Sequence, residues 1–487
     1  MYFYDFNNYI YIFMIFNSYD QYENHQNNKV LIIGSGPASI SLALKLEKNQ
    51  ISSVIFEAGT FDYNEKLQDT YKGTTSGDYK ADITTNRIKQ FGGTANVWGQ
   101  VCRPLDEIDI ANWSKKKLNI KEYEAEASKI LFANNNYEDE YLDQNFNQNI
   151  YRYSKVNFPK FYKNIISNSK FIDLVLNSNF TGFHAQNSLF KKAKFLNVLD
   201  KKYFEVNADF FILGCGGIDN SRFLLKSRDI DGLLTRELPI GKFWMGHFKE
   251  HTGELLADWG KLKKILNVNQ YISSQTATIS ISKKFLIENK MENASVFIQP
   301  NQLSKNKFNE IQKKLLCVAP KYSRKLIELF NKKLLCGSSL EIIWGQKPSN
   351  KNKITLSKSK LDVFGIPLVN IHCSAINSDL ITPKLFTLEL AKFFIEKDIG
   401  RVSIFENVIN NKDKISLEGN HHLGGTVMGD FPQVSVVDHN LKVHNTKNLF
   451  VVGSSIFAQG GYANPTLSIV QFSLRLGDHI KKEIKNI

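Results

Sequence analysis

The sequence predicts an α/β fold in two joined domains, one of them assembled from separated stretches of chain. Three observations predict it. Near the start, an apolar run, a glycine turn, a helical stretch and a second apolar run follow one another as a βαβ unit. A strand feeding a second glycine turn recurs at 203–217, and a strand–turn–helix passage at 449–480 ends the pattern. Pieces of one parallel sheet thus sit at both ends, while strand patterns at 276–281 and 340–344 suit a different, mainly antiparallel sheet. At 487 residues the chain also exceeds what one core usually holds.

Taken in order, residues 1–26 read as an N-terminal extension of uncertain role. Residues 9–16 (YIYIFMIF) are apolar but too short to span a bilayer. They follow Asp5 rather than a basic stretch and precede no small-residue cleavage site, which argues against a signal peptide. Residues 29–33 (KVLII) form the first strand, and Gly34-Ser35-Gly36-Pro37-Ala38-Ser39 the turn after it. Gly34 allows the tight turn, and Gly36 lets the backbone approach a pyrophosphate at the start of the following helix. Ser39 stands where a Rossmann-type fingerprint has its third glycine, and is small enough for close helix–strand packing. Glu57 ends the next strand, where a carboxylate accepts from a ribose 2′-OH and argues against a 2′-phosphate. By itself this fingerprint does not separate FAD from NAD.

Residues 203–213 read as one strand entering the turn Gly214-Cys215-Gly216-Gly217. Residues 307–335 are helical in period and lysine-rich, with a break at Pro320. A solvated helix with a core stripe is favoured there over a helix on a membrane surface or over the substrate entrance.

The net charge of +14 comes from 62 Lys+Arg against 48 Asp+Glu spread over the whole chain. No dense basic run is interleaved with aromatics, so a nucleic-acid module is excluded and peripheral membrane contact is not favoured. The five cysteines, Cys102, Cys215, Cys317, Cys336 and Cys373, form no CxxC pair and no metal pattern. They suit reduced thiols and a cytoplasmic location, with membrane association as the alternative.

Several spaced segments resemble the glucose–methanol–choline (GMC) family. Residues 87–100 (RIKQFGGTANVWGQ) are similar to the family loop that wraps the flavin, and Pro104, Asp106 and Trp113 continue it. Residues 210–225 (FFILGCGGIDNSRFLL) are similar to the strand and turn over the adenosine half of FAD, and 240–247 (IGKFWMGH) to a stretch ending in Met-x-His. Residues 421–429 (HHLGGTVMG), Val436-Val437-Asp438, residues 449–455 and Asn464-Pro465-Thr466 follow the family's C-terminal order.

The resemblance implies a Rossmann-type FAD-binding domain at 27–113, 200–247 and 415–487, with a substrate or cap domain at 114–199 and 248–414. It implies non-covalent FAD, since Asn96 and Val97 stand where some members attach flavin through a His. The residues it assigns to the cofactor are Gly34, Gly36, Ser39, Glu57, Gly93, Thr94, Asn96, Gly214, Gly453, Ser454, Pro465 and Thr466. It implies oxidation of an alcohol or sugar hydroxyl, hydride passing to flavin N5, and an electron acceptor that is oxygen, a quinone or a redox protein. A non-redox lyase on bound flavin, or an FAD-binding protein without turnover, is the alternative. No metal is implied.

For the catalytic pair the sequence offers His421 and Asn464. A histidine serves as base because it titrates near neutrality, and an Asn amide donates to a developing alkoxide. Counting back from Met428-Gly429 puts the family His on His421; anchoring on Gly425-Thr426 puts it on His422. The first registration needs no gap and is preferred. In an extended strand the two side chains point to opposite faces. Asn464 before Pro465 also reads as a helix N-cap. His247 and His251 read as structural, His439, His444 and His479 as surface, and Cys215 as packing.

Overall fold

The computed structural model describes residues 14–23, 29–78, 83–257, 259–266, 275–300, 338–410 and 416–486. A six-stranded sheet runs Ile15–Phe16, Ile172–Val175, Ser53–Phe56, Val30–Ile33, Phe210–Leu213, Leu449–Val451, and every pairing in it is parallel. Ser53–Phe56, Val30–Ile33 and Phe210–Leu213 are buried along their whole length, as expected of a parallel sheet covered on both faces. The Pro37–Lys48 helix and the C-terminal Thr466–Lys485 helix pack against each other on this half.

The passage 203–213 is two strands rather than one. Tyr203–Asn207 alternates exposed and covered positions and joins an antiparallel meander with Leu189–Asn197 and Ser178–Gln186. Phe210–Leu213 is apolar throughout and enters the parallel sheet beside Val30–Ile33. The change from alternating to continuous burial marks the break.

Several expected domain boundaries move: Val101–Cys102 and Ser416–Leu423, expected in the FAD-binding domain, are strands of the antiparallel sheet of the other half. The Ile172–Val175 strand, within the stretch expected to be cap, lies in the nucleotide sheet, and the meander of residues 178–197 covers that sheet. Phe195 stacks on Phe56 at 4.4 Å. The end of the N-terminal extension also belongs there: Ile15–Phe16 is the edge strand, and Tyr19 stacks on Phe204 at 4.1 Å. Residues 9–13 and 307–335, with Cys317 and Cys336, lie outside the described residues.

The second half is a nine-stranded sheet, antiparallel throughout. Its longest strand, Met245–Ala257, pairs with Ser338–Gly345, Gly400–Ile404 and Ser416–Leu423. A small sheet of Lys353–Leu361, Pro367–Cys373 and Gly73–Gly77 sits beside the Gly216–Asp229 helix. Arg222 on that helix ties the two together. Fully buried, it donates to Pro367 O (2.7 Å), Thr70 O (3.0 Å), Ile366 O (3.0 Å) and the Asp362 carboxylate (2.7 Å). Among the described residues no helix is long and apolar enough to cross a membrane.

Candidate active site

A cavity of ≈ 540 Å³ lies where the two halves meet, within the range of small-molecule and cofactor sites. One wall is the glycine turn Gly34-Ser35-Gly36 and the start of the Pro37–Lys48 helix. Gly34 has φ +91°, and a Cβ on it would stand 2.8 Å from Gly214 O; a Cβ on Gly214 would stand 2.1 Å from Ser39 Oγ. The two turns and Ser39 therefore interlock at backbone contact. Ser39 is fully buried in this packing and, unlike its neighbours, does not line the cavity.

Glu57 is buried at the cavity wall. Its Oε2 accepts from Ser35 N–H (3.0 Å) and Ser35 Oγ (2.6 Å), and its Oε1 from Gly59 N–H (2.8 Å). Each carboxylate oxygen keeps further acceptor capacity.

The loop after Phe91 closes against this turn. Gly92 N–H donates to Ser35 O at 3.1 Å, and Gly93, Thr94, Ala95, Val97 and Trp98 line the cavity. Asn96 does not. Its amide donates to Phe91 O (2.9 Å) and Gly93 O (2.8 Å), so it staples the loop from within. Arg87 also reaches the cavity, stacks 4.1 Å from the Tyr71 ring centroid and meets Asp219 at 3.4 Å. Burial lowers its guanidinium, and Asp219 offsets part of that. Cys215 lines the cavity too; burial pushes its thiol well up, so it stays a thiol at neutral pH.

Gly453, Ser454, Pro465 and Thr466 complete the wall. Ser454 Oγ donates to His422 O at 2.6 Å and so anchors the histidine strand. The C-terminal helix runs Thr466–Lys485, and Pro465 before it already has helical dihedrals (φ −71°, ψ −19°). The Asn464 amide nitrogen, one residue earlier, faces His421 Nε2 at 3.3 Å. The segment before it is held by buried Tyr462, whose carbonyl accepts from Tyr151 Oη at 3.4 Å.

His421 and His422 both line the cavity but diverge. His421 lies between Asn464 and His247, its Nδ1 2.9 Å from His247 Nδ1. His422 packs on Trp244, ring centroids 6.0 Å apart. The strand pairing explains the geometry. Met245 pairs with Leu423 and His247 with Glu418, so Gly419, Asn420, His421 and His422 all bulge out opposite Gly246. Such an excursion re-aims side chains and overrides simple alternation.

His247 is buried and touches His421. His439, His444 and His479 are half-buried rather than surface, and burial lowers all three rings. His251 is exposed and pairs with Glu341.

The donor set fits FAD. Two helix N-termini open on one cavity, suited to anionic groups. A buried carboxylate at the end of the second strand suits a ribose hydroxyl, and a Cβ at Gly36 would meet nothing within 4 Å, leaving room for a pyrophosphate. Among the described residues no cluster of three or more His, Cys, Asp or Glu could hold a metal ion.

Residues 348–473, which include both His421 and Asn464, match the family described as GMC oxidoreductase. The chain is 29% identical over 141 residues to the fructose dehydrogenase large subunit of Gluconobacter japonicus, covering 28% of this chain and 24% of that one. It is 23% identical to 2-methyl-1,2-propanediol dehydrogenase of Mycolicibacterium austroafricanum, over 65% of this chain and 55% of that one. These matches span from a quarter to about half of the relatives' own lengths. Among solved structures, pyridoxine 4-oxidase from Mesorbium loti superposes with a TM-score of 0.60 at 13% identity, over 93% of this chain and 99% of that one. A variant of Aspergillus oryzae RIB40 formate oxidase does so at 0.57 and 15% identity, over 94% and 99%. The stretch that carries the histidine–asparagine pair is thus similar to the GMC oxidoreductase family, and nearly the whole chain shares a fold with these two oxidases.

Proposed function

We propose that the protein oxidises an alcohol or sugar hydroxyl with non-covalently held FAD. The observation that carries this reading is the meeting of His421 and Asn464 in the same cavity as the Gly34–Gly36 turn and Glu57. Two relatives are named for a sugar and for a diol, which supports a hydroxyl-bearing substrate.

Alcohol oxidation removes a hydroxyl proton and a hydride from the carbon. FAD, when bound, supplies the hydride acceptor at N5. His421 Nε2 takes the hydroxyl proton, and Asn464 donates to the oxygen as negative charge builds on it. The Asn464 amide and His421 Nε2 stand 3.3 Å apart and both residues line the cavity, where one substrate hydroxyl can meet them both. The N-terminus of the Pro37–Lys48 helix would hold the pyrophosphate, and that of the Thr466–Lys485 helix would favour negative charge on the reduced cofactor. Glu57 would accept from the ribose.

Anaerobic mixing with a panel of primary alcohols, vicinal diols, hexoses and sterols tests the reading. Bleaching of bound flavin by at least one compound is the expected result. No bleaching by any of them, in protein that dithionite still reduces, would count against it.

Two further outcomes are expected. Acid precipitation releases all the flavin into the supernatant; yellow colour left in the pellet would mean a covalent link. Glu57→Ala weakens FAD affinity by about 10- to 100-fold, the scale of losing a hydrogen bond to a charged group, while holoprotein that remains is reduced at nearly the wild-type rate. Unchanged affinity in a fluorescence titration would remove Glu57 from the ribose site.

A further inference from the structure

His247 reaches the site from the Met245–Ala257 strand, and its side chain is wholly buried. Its Nδ1 lies 2.9 Å from His421 Nδ1, with the rings edge to face at 72°. Two imidazole nitrogens at that distance need one proton between them, one nitrogen donating and the other accepting. The opposite side of His421 decides which. There Nε2 faces the amide nitrogen of Asn464 at 3.3 Å, and an amide nitrogen only donates. In the neutral ring Nε2 therefore carries the lone pair and Nδ1 the proton. That proton points at His247 Nδ1, which accepts it, so His247 keeps its own proton on Nε2.

We propose that His247 is a positioning residue that fixes His421 as the Nδ1–H tautomer and so turns the Nε2 lone pair toward the substrate hydroxyl. This rests on the reading of His421 as the base. When the substrate O–H bond breaks and an N–H bond forms at Nε2, His421 becomes a cation. Its Nδ1–H then donates to His247 Nδ1 as a charge-assisted hydrogen bond, stronger than the neutral one before it. His247 thus favours the protonated form of its neighbour while making no contact with substrate. The four-residue excursion opposite Gly246 is what brings the two rings together.

The test uses full-length holoprotein labelled with ¹⁵N-histidine, as wild type, His247→Leu and His247→Asn, with the His421 signals assigned by their loss in His421→Ala. An Asn Oδ1 can replace the accepting Nδ1; Leu cannot. The expected result is an Nδ1–H tautomer for His421 in wild type, a shift toward Nε2–H in His247→Leu, and restoration in His247→Asn. With the fastest reductant of the panel, His247→Leu lowers the limiting rate of anaerobic flavin reduction by about 10- to 100-fold, on the scale of losing a partner that orients a functional imidazole. Half-saturation changes little, and His247→Asn recovers most of the rate. An Nε2–H tautomer in wild type, one tautomer shared by wild type and His247→Leu, or equal rate losses in the Leu and Asn variants would each overturn the proposal. Failure of the underlying reading looks different: His421→Ala would then be reduced at the wild-type rate, whatever the spectra show.

Discussion

Replacing His421 by Ala is expected to slow anaerobic flavin reduction by roughly 10²–10⁴-fold with FAD still bound, the usual cost of losing a general base. His422→Ala is expected to disturb that step far less. The reason lies in what each ring touches. His421 is held between Asn464 and His247, whereas His422 packs on Trp244. Rapid mixing with the same reductant separates the two variants. A large loss in His422→Ala together with a small one in His421→Ala would transfer the base to His422.

The second large effect is on stability. Arg222→Met is expected to lower the unfolding free energy by about 3–5 kcal/mol, the cost of leaving one member of a buried ion pair without its partner. Asp362 is 2% exposed at its side chain and meets Arg222 at 2.7 Å. The same substitution removes donors from Thr70, Ile366 and Pro367 carbonyls, so the small sheet loosens from the Gly216–Asp229 helix. Urea unfolding of purified protein followed by flavin and tryptophan fluorescence measures the loss. A change below about 1 kcal/mol would mean that Asp362 finds other partners or water.

What the sequence reveals here follows from how local each signal is. The first βαβ unit is legible because Val30–Ile33, the Gly34 turn and Ser53–Phe56 are neighbours in the chain and continuous in burial. The order of the sheet is less legible. Ile172–Val175 enters it from a stretch with no glycine turn of its own, and Ile15–Phe16 is too short to carry a pattern. Ser39 and Asn96 have the residue types of cofactor contacts, yet one is used for packing against Gly214 and the other for holding its own loop. Sequence position alone does not separate those uses.

The histidine site shows the same limit. The motif around 421–429 brings both histidines to notice, but alternation along a strand does not describe Gly419, Asn420, His421 and His422, which bulge out opposite one residue. His247 lies 174 residues from His421. Only the pairing of Met245–Ala257 with Ser416–Leu423 brings them together, and the Met-x-His ending of 240–247 is the one signal in the sequence that marks it. Asn464 reads as a helix cap because Pro465 follows it. In the fold its amide nitrogen also faces His421 Nε2.

The central claim is that the His421–Asn464 site oxidises a hydroxyl-bearing carbon with the electrons passing to bound FAD. The most direct measurement counts carbonyl product against bleached flavin, anaerobically, in a single turnover with excess substrate. The account predicts one carbonyl formed per flavin reduced in wild type, and neither product nor bleaching on that timescale in His421→Ala. Carbonyl formed while the flavin stays oxidised would contradict it, and would mean that the bound cofactor supports a reaction with no net redox.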